Sequence, residues 1–281
     1  MSEGASRLIN LAEYPVNQPE SCQYQQVLAN VQKALARDGC ALLKGFLTSA
    51  GIDALITEAD NAAEFAHSSC NSTNPYFTQD DVSFPVDHPK RHFFERSNAF
   101  IPADNFASEG PLRCIQDFAG FDGFIQACLG EEKFHRYADP LADVIVNMAG
   151  QGNGFPWHFD TNNFTVTLAI QNAREGGAFE YAPNIRRESE NFDEVQAVLE
   201  GRSDKVHTLN LEPGDLQLFR GRYSLHRVAP LSGDVPRYVA IFSYVDQPDM
   251  VATPERCLQL YGKVLPIHYE RAGVRGDNFI D

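Results

Sequence analysis

The chain has 281 residues, of which 43% are apolar and 22% charged, a balance that supports a large buried core and excludes wholesale disorder. With 38 acidic against 23 basic residues the net charge is -15, which repels phosphate backbones and anionic lipid, so neither nucleic acid nor a membrane is an expected partner. No apolar run reaches the roughly 18 residues that cross a bilayer, the opening MSEGASRLINLAEYP lacks a leader pattern, and six scattered cysteines without a CxxC pair read as reduced thiols; a cytoplasmic protein is expected.

In chain order, residues 23–37 (YQQVLANVQKALAR) place Val27, Val31 and Leu35 on one helical stripe, and Asp38-Gly39 ends the helix before a strand in CALLKGF. Residues 47–66 read as a second helix. The stretch 68–107, rich in Asn, Pro, Asp and aromatic residues, shows no sustained period and reads as a long loop of the kind that closes over sites. A further helical pattern covers 110–129. After Pro140 the texture changes to short β-type runs, ADVIVNMA, FTVTLAI, GAFEYA, KVHTLNL, DLQLF and RYVAIFSYV, divided by QGNG, NAREGG and EPGD turns. The acidic segment 187–202 reads as a surface helix. Strand after strand without crossover helices favours an antiparallel sandwich or jelly roll over a parallel sheet, so the expected fold is mainly β, with a helical N-terminal part packed on a jelly-roll barrel. One domain is expected, with residues 1–139 helical and lid-like, 140–250 the jelly roll and 251–281 a C-terminal extension.

His158-Phe159-Asp160 lies at the mouth of a strand, where positions i and i+2 share a side and both reach one metal. The pair alone says little, since eight histidines and 20 aspartates give roughly 0.6 such matches by chance, and His268-Tyr269-Glu270 is a second match with a carboxylate. What distinguishes the first is its company. Downstream, EPGDLQLFRGRYSLHRVAP delivers His226, and the next strand carries Arg237. His158, Asp160 and His226 make a two-histidine, one-carboxylate facial set with open positions, which suits Fe(II) and oxygen chemistry. Arg237 is a permanently charged bidentate partner for a carboxylate. The remaining histidines, His268 included, read as hydrogen-bonded structural residues.

With these residues in place, the His-x-Asp, the distal His in SLHRVAP and the Arg in DVPRYVAIFSY resemble the Fe(II)/2-oxoglutarate-dependent oxygenase superfamily. Within it, HFDTNNFTVTLAIQNAREGGAFEYAPNIR and FRGRYSLHRVAP resemble the branch of the free-amino-acid radical halogenases and their hydroxylase relatives, over residues 140–244. The resemblance implies a double-stranded β-helix (cupin-like) core, Fe(II), 2-oxoglutarate and O2, with succinate and CO2 as coproducts. It also implies an outcome: the halogenating members carry Gly or Ala where this chain has Asp160, which opens a position for chloride, so a carboxylate there points to hydroxylation. Desaturation and ring formation, which draw on the same oxidant, stay open.

On this reading His158, Asp160 and His226 are the catalytic metal ligands, and Arg237 with Thr167 binds 2-oxoglutarate; Thr165 is a weaker candidate beside Thr167. Arg96 in HFFERSN, Arg222 four residues before His226, and Asn163 are the candidate substrate-binding residues. The expected activity is hydroxylation of an unactivated C–H in a small polar metabolite, a free amino acid or derivative, by a monomer or homodimer. A cupin-like binding protein without turnover and a zinc hydrolase accept the same ligand set. Arg237 argues against the first, and oxygen consumption separates the second.

Overall fold

A computed structural model describes residues 2–162, 164–186 and 189–271. Its helices are α1 (Ser2–Leu8), α2 (Cys22–Asp38), α3 (Ser49–Ala62), α4 (Pro111–Gln116), α5 (Phe121–Leu129), α6 (Phe192–Leu199), α7 (Pro254–Tyr261) and α8 (Pro266–Glu270). The strands are β1 (Cys40–Leu43), β2 (His67–Thr73), β3 (Phe94–Ile101), β4 (His135–Arg136), β5 (Val144–Ala149), β6 (Phe155–His158), β7 (Phe164–Gln171), β8 (Glu175–Gly176), β9 (Phe179–Ala182), β10 (His207–Leu209), β11 (Leu216–Phe219), β12 (Leu225–Val228), β13 (Leu231–Ser232) and β14 (Arg237–Val245).

Local chemistry sets the helical part. Ser21 caps α2 by accepting the Tyr24 N–H, and Gly39 ends it in the left-handed region, φ 65°, so that β1 starts at once. The second helix is shorter than its pattern predicts: Thr48 caps α3, which gives way to a 3-10 turn after Ala62. The 110–129 pattern is two helices, α4 and α5, broken at Gly120, where a β-carbon would meet the Val16 carbonyl oxygen at 2.5 Å.

All strand pairs are antiparallel. The large sheet runs β1-β11-β7-β14-β5-β3-β2 with β4 also on β14, and the smaller runs β10-β9-β12-β6. This is a jelly-roll core, as the sequence predicts. Period-2 alternation divides the large sheet's two faces. On β14, Tyr238, Ala240, Phe242 and Tyr244 pack into the core under the N-terminal helices, whereas Arg237, Val239, Ile241 and Ser243 line a cavity on the other face. Strand β7 repeats the division, with Phe164, Val166, Leu168 and Ile170 inward and Thr165 and Thr167 toward the cavity.

One expectation is corrected. Residues 68–107 are not a loop throughout: β2 and β3 form a ladder from His67↔Phe100 to Thr73↔Phe94 that extends the large sheet through β5. As the edge strand, HSSCNST carries polar residues on both faces and so lacks the apolar alternation that marks a half-buried strand. The acidic segment holds α6, which buries Val195 and Val198 beside Trp157 and Phe159 and is thus more than a solvated face. Among the described residues no helix is long and apolar enough to cross a membrane.

Candidate metal centre

The small sheet brings the two histidines together. Strand β12 pairs with β6 so that His226 stands directly opposite His158, and a register shift follows between His226 and Val228. Each imidazole is tethered to a carbonyl two residues earlier: His158 Nδ1 donates to Pro156 O at 2.8 Å and His226 Nδ1 to Ser224 O at 2.9 Å. A carbonyl oxygen only accepts, so Nδ1 holds the proton in both rings and each Nε2 keeps its lone pair. The rings lie 4.1 Å apart between centroids, and both residues are buried.

Asp160 leaves β6 two residues after His158 and turns its carboxylate back to both lone pairs. Its Oδ1 is 3.6 Å from His158 Nε2 and 3.3 Å from His226 Nε2. Its Oδ2 accepts from Thr165 Oγ1 at 2.7 Å, and its N–H donates to Gly221 O at 3.1 Å. Gly221 is the residue that space requires here, because a β-carbon on it would stand 1.8 Å from Asp160 Oδ2. Burial, followed by the facing His226, pushes the His158 imidazolium down to about 3, so this ring is neutral near pH 7. Two imidazole nitrogens and one carboxylate oxygen, all within 4.8 Å of one another, fit a divalent iron with sites left for other ligands.

The centre opens into a cavity of about 750 Å³. Phe155 stacks near His158 at 4.1 Å between centroids and Phe219 near His226 at 4.9 Å, so the metal position is walled by rings. Arg237 lines the cavity at 6% exposure, and among the described residues its guanidinium has no hydrogen bond or ion pair. Burial lowers its pKa to about 10, which leaves it cationic at neutral pH. A buried cation of this kind calls for an anion. Thr167 lines the same cavity and donates to Gln217 Oε1 at 2.8 Å.

The other sequence candidates divide. Arg96, on β3, lines the cavity at 1% exposure. Arg222 does not: it is fully buried away from the cavity lining, near the Arg186 guanidinium. Asn163 lies outside the described residues. Thr165 holds Asp160. Sequence reasoning missed Gln217, Gly221, Asn71, Phe77 and the cavity wall formed by residues 250–261. Gly221 had a weak signal as a lone glycine between two arginines; the wall had none.

A second group, Asp139, Cys257 and His268, also has metal-ligand spacing and is fully buried. There, however, His268 Nδ1 accepts from the Leu265 N–H at 2.9 Å, so Nε2 bears the proton and donates to Asp139 Oδ1 at 3.1 Å. The N–H groups of Leu141 and Ala252 and the Cys257 thiol also donate to Asp139. No imidazole lone pair is left for a metal. The group is a clasp that ties α7 and α8 to the segment before β5.

The sequence profile of the Halogenase D family (HalD) matches residues 88–256, more than half of the chain. No curated protein sequence matches. Among solved structures the fold is similar to the non-heme α-ketoglutarate-dependent epimerase SnoN from nogalamycin biosynthesis, at 14% identity and a TM-score of 0.55, with 79% of this chain and 84% of that one covered. AviO1 from Streptomyces viridochromogenes Tue57 is similar at 14% identity and 0.54, covering 80% and 97%. A 2OG-Fe(II) oxygenase-family oxidoreductase from Burkholderia pseudomallei is similar at 11% identity and 0.51, covering 78% and 91%. The chain belongs to the Halogenase D family, and its fold is similar to that of 2OG-Fe(II) oxygenases.

Proposed function

We propose that this protein is an Fe(II)/2-oxoglutarate-dependent oxygenase, a hydroxylase that inserts oxygen into an unactivated C–H bond of a small polar metabolite, an amino acid or amino-acid derivative. His158, Asp160 and His226 hold the iron, and Arg237, with Thr167 beside it, receives 2-oxoglutarate. When bound, iron, 2-oxoglutarate and O2 supply the oxidation, with succinate and CO2 leaving. The chain's own part is placement. The carbonyl tethers on both Nδ1 atoms aim the lone pairs, Thr165 orients the third ligand, and the ring collar keeps water from the reacting centre.

The observation that carries this reading is the carboxylate of Asp160, turned toward both imidazoles and held by Thr165 under a glycine that leaves it room. A third protein ligand in that position denies it to a halide. Reactions run in saturating sodium chloride should therefore yield a product one oxygen atom heavier, labelled by ¹⁸O2 and free of chlorine, as read by mass spectrometry. A chlorinated main product refutes the proposal. Arg237→Leu should raise the 2-oxoglutarate KM by about tenfold or more while iron stays bound, because the deletion strands a carboxylate in a buried site. Unchanged 2-oxoglutarate dependence places the anchor elsewhere.

A further inference from the structure

On the β2–β3 side of the cavity, a donor group and an acceptor stand side by side without partners. Arg96 is 1% exposed, and its Nε, Nη1 and Nη2 all lack a hydrogen-bond partner among the described residues. Directly across the ladder from Arg96 is Asn71, also on the cavity wall, whose buried Oδ1 has no donor. The Arg96 guanidinium lies over the rings of Phe155 at 4.1 Å and Phe77 at 5.2 Å, and both rings also neighbour His158. It is therefore held beside the metal ligands.

Phe77 reaches this place through a left-handed backbone, φ 58°, which a bulky residue adopts only when its surroundings enforce it. Buried Asn74 enforces it: Oδ1 accepts the N–H groups of Tyr76 and Thr78, and Nδ2 donates to Thr78 and to Lys90 O. The ring thus walls the space in front of Arg96 from a fixed position.

Charge narrows what fits. Two acidic side chains line the cavity among the described residues, Asp160, assigned to iron, and Glu255, which is exposed. Arg256 adds a second cation on this side, its guanidinium 4.3 Å from the centroid of the same Phe77 ring. An acid group answers the Arg96 guanidinium by a charge-assisted bidentate pair. An ammonium brought into the same place meets no buried carboxylate to offset its desolvation, whereas Asn71 Oδ1 accepts a neutral N–H or O–H at small cost. We infer that the substrate is a net anion whose carboxylate pairs with Arg96 and whose adjacent neutral N–H or O–H donates to Asn71, as in an N-acylated amino acid or a hydroxy acid. A free amino acid with its ammonium is then a poor fit. The inference rests on the oxygenase reading above and names the substrate class of that site.

The test uses the full chain loaded with Fe(II) and 2-oxoglutarate, and follows succinate release with matched compounds on several carbon skeletons: free amino acid, N-acetyl amino acid, 2-hydroxy acid and N-acetyl carboxamide. N-acetyl or hydroxy acids should exceed both the free amino acids and the carboxamides by about 100-fold or more in kcat/KM, and the better of the two identifies the donor. In Arg96→Gln the preference for acid over carboxamide should collapse. If that variant does not fold, the wild-type ratios alone decide. Free amino acids matching the N-acetyl acids, no acid raising succinate above the substrate-free rate, or an acid preference kept in a folded Arg96→Gln overturns the inference. Anaerobic addition of 2-oxoglutarate to the wild-type Fe(II) protein separates the two levels. If no charge-transfer absorption appears, the oxygenase reading itself fails; if the band appears and free amino acids are preferred, only the substrate inference falls.

Discussion

Among the described residues two His–Asp clusters have metal-ligand spacing, one completed by a second histidine and the other by a cysteine, and they differ in where the imidazole protons sit. At His158 and His226 both Nδ1 atoms donate to carbonyls and both Nε2 atoms face the Asp160 carboxylate with lone pairs. At His268 the ring is turned over: Nδ1 accepts a backbone N–H and Nε2 donates to Asp139. Spacing and burial alone make both clusters metal sites. The direction of two hydrogen bonds makes one a ligand set and the other a clasp, which shows that a buried His–Asp pair is read from the far side of the ring.

That contrast is open to breakage. The largest effect belongs to the ligands: His158→Ala or His226→Ala should leave a folded protein with no stoichiometric iron and no detectable turnover, as checked by metal analysis and succinate release. Iron retained at full occupancy in both variants removes the distinction. Next, His268→Ala removes one donor from the buried Asp139 carboxylate and leaves a cavity behind it, and should lower unfolding free energy by about 3 kcal/mol in urea titration, yet leave iron stoichiometry per folded chain unchanged. Loss of iron in that variant places metal at the clasp. Gly221→Ala tests the space around the third ligand; displacement of Asp160 by the added methyl should weaken iron binding by about 50-fold with little change in melting temperature. Smallest is Thr165→Val, which keeps shape and removes one hydrogen bond from Asp160, for about a tenfold loss of iron affinity in competition with a chelator.

Much of this was legible before any coordinates. The two ligands at i and i+2 sit on one side because strand and turn geometry put them there, and Arg237 faces the cavity because it keeps phase with Val239, Ile241 and Ser243 on one strand. Spacing failed where the chain turns. Arg222 is four residues from His226, but residues 221–223 form a turn before β12, which sends its side chain into the interior behind the site. Edge strand β2 was hidden because HSSCNST shows no apolar alternation, although its burial alternates along the strand. Asn71 and Arg96 meet only through cross-strand register, and the wall from residues 250–261 arrives from a distant part of the chain, so neither follows from local pattern.

The ladder that sets His158 opposite His226 lies wholly within the small sheet, whereas Asn71, Phe77, Arg96 and Arg256 come from the β2–β3 ladder, the loop between its strands and α7. On the proposed reading, the oxidising engine and the lock that admits its cargo are therefore carried on separate lengths of chain. A protein engineer can treat the side chains of Asn71, Phe77, Arg96 and Arg256 as an exchangeable lining, recut for a new molecule while the proposed iron chassis and the Asp139 clasp are left in place. The same partition gives evolution a cheap route to new products: it has only to redraft the lining, and the hard chemistry comes along intact.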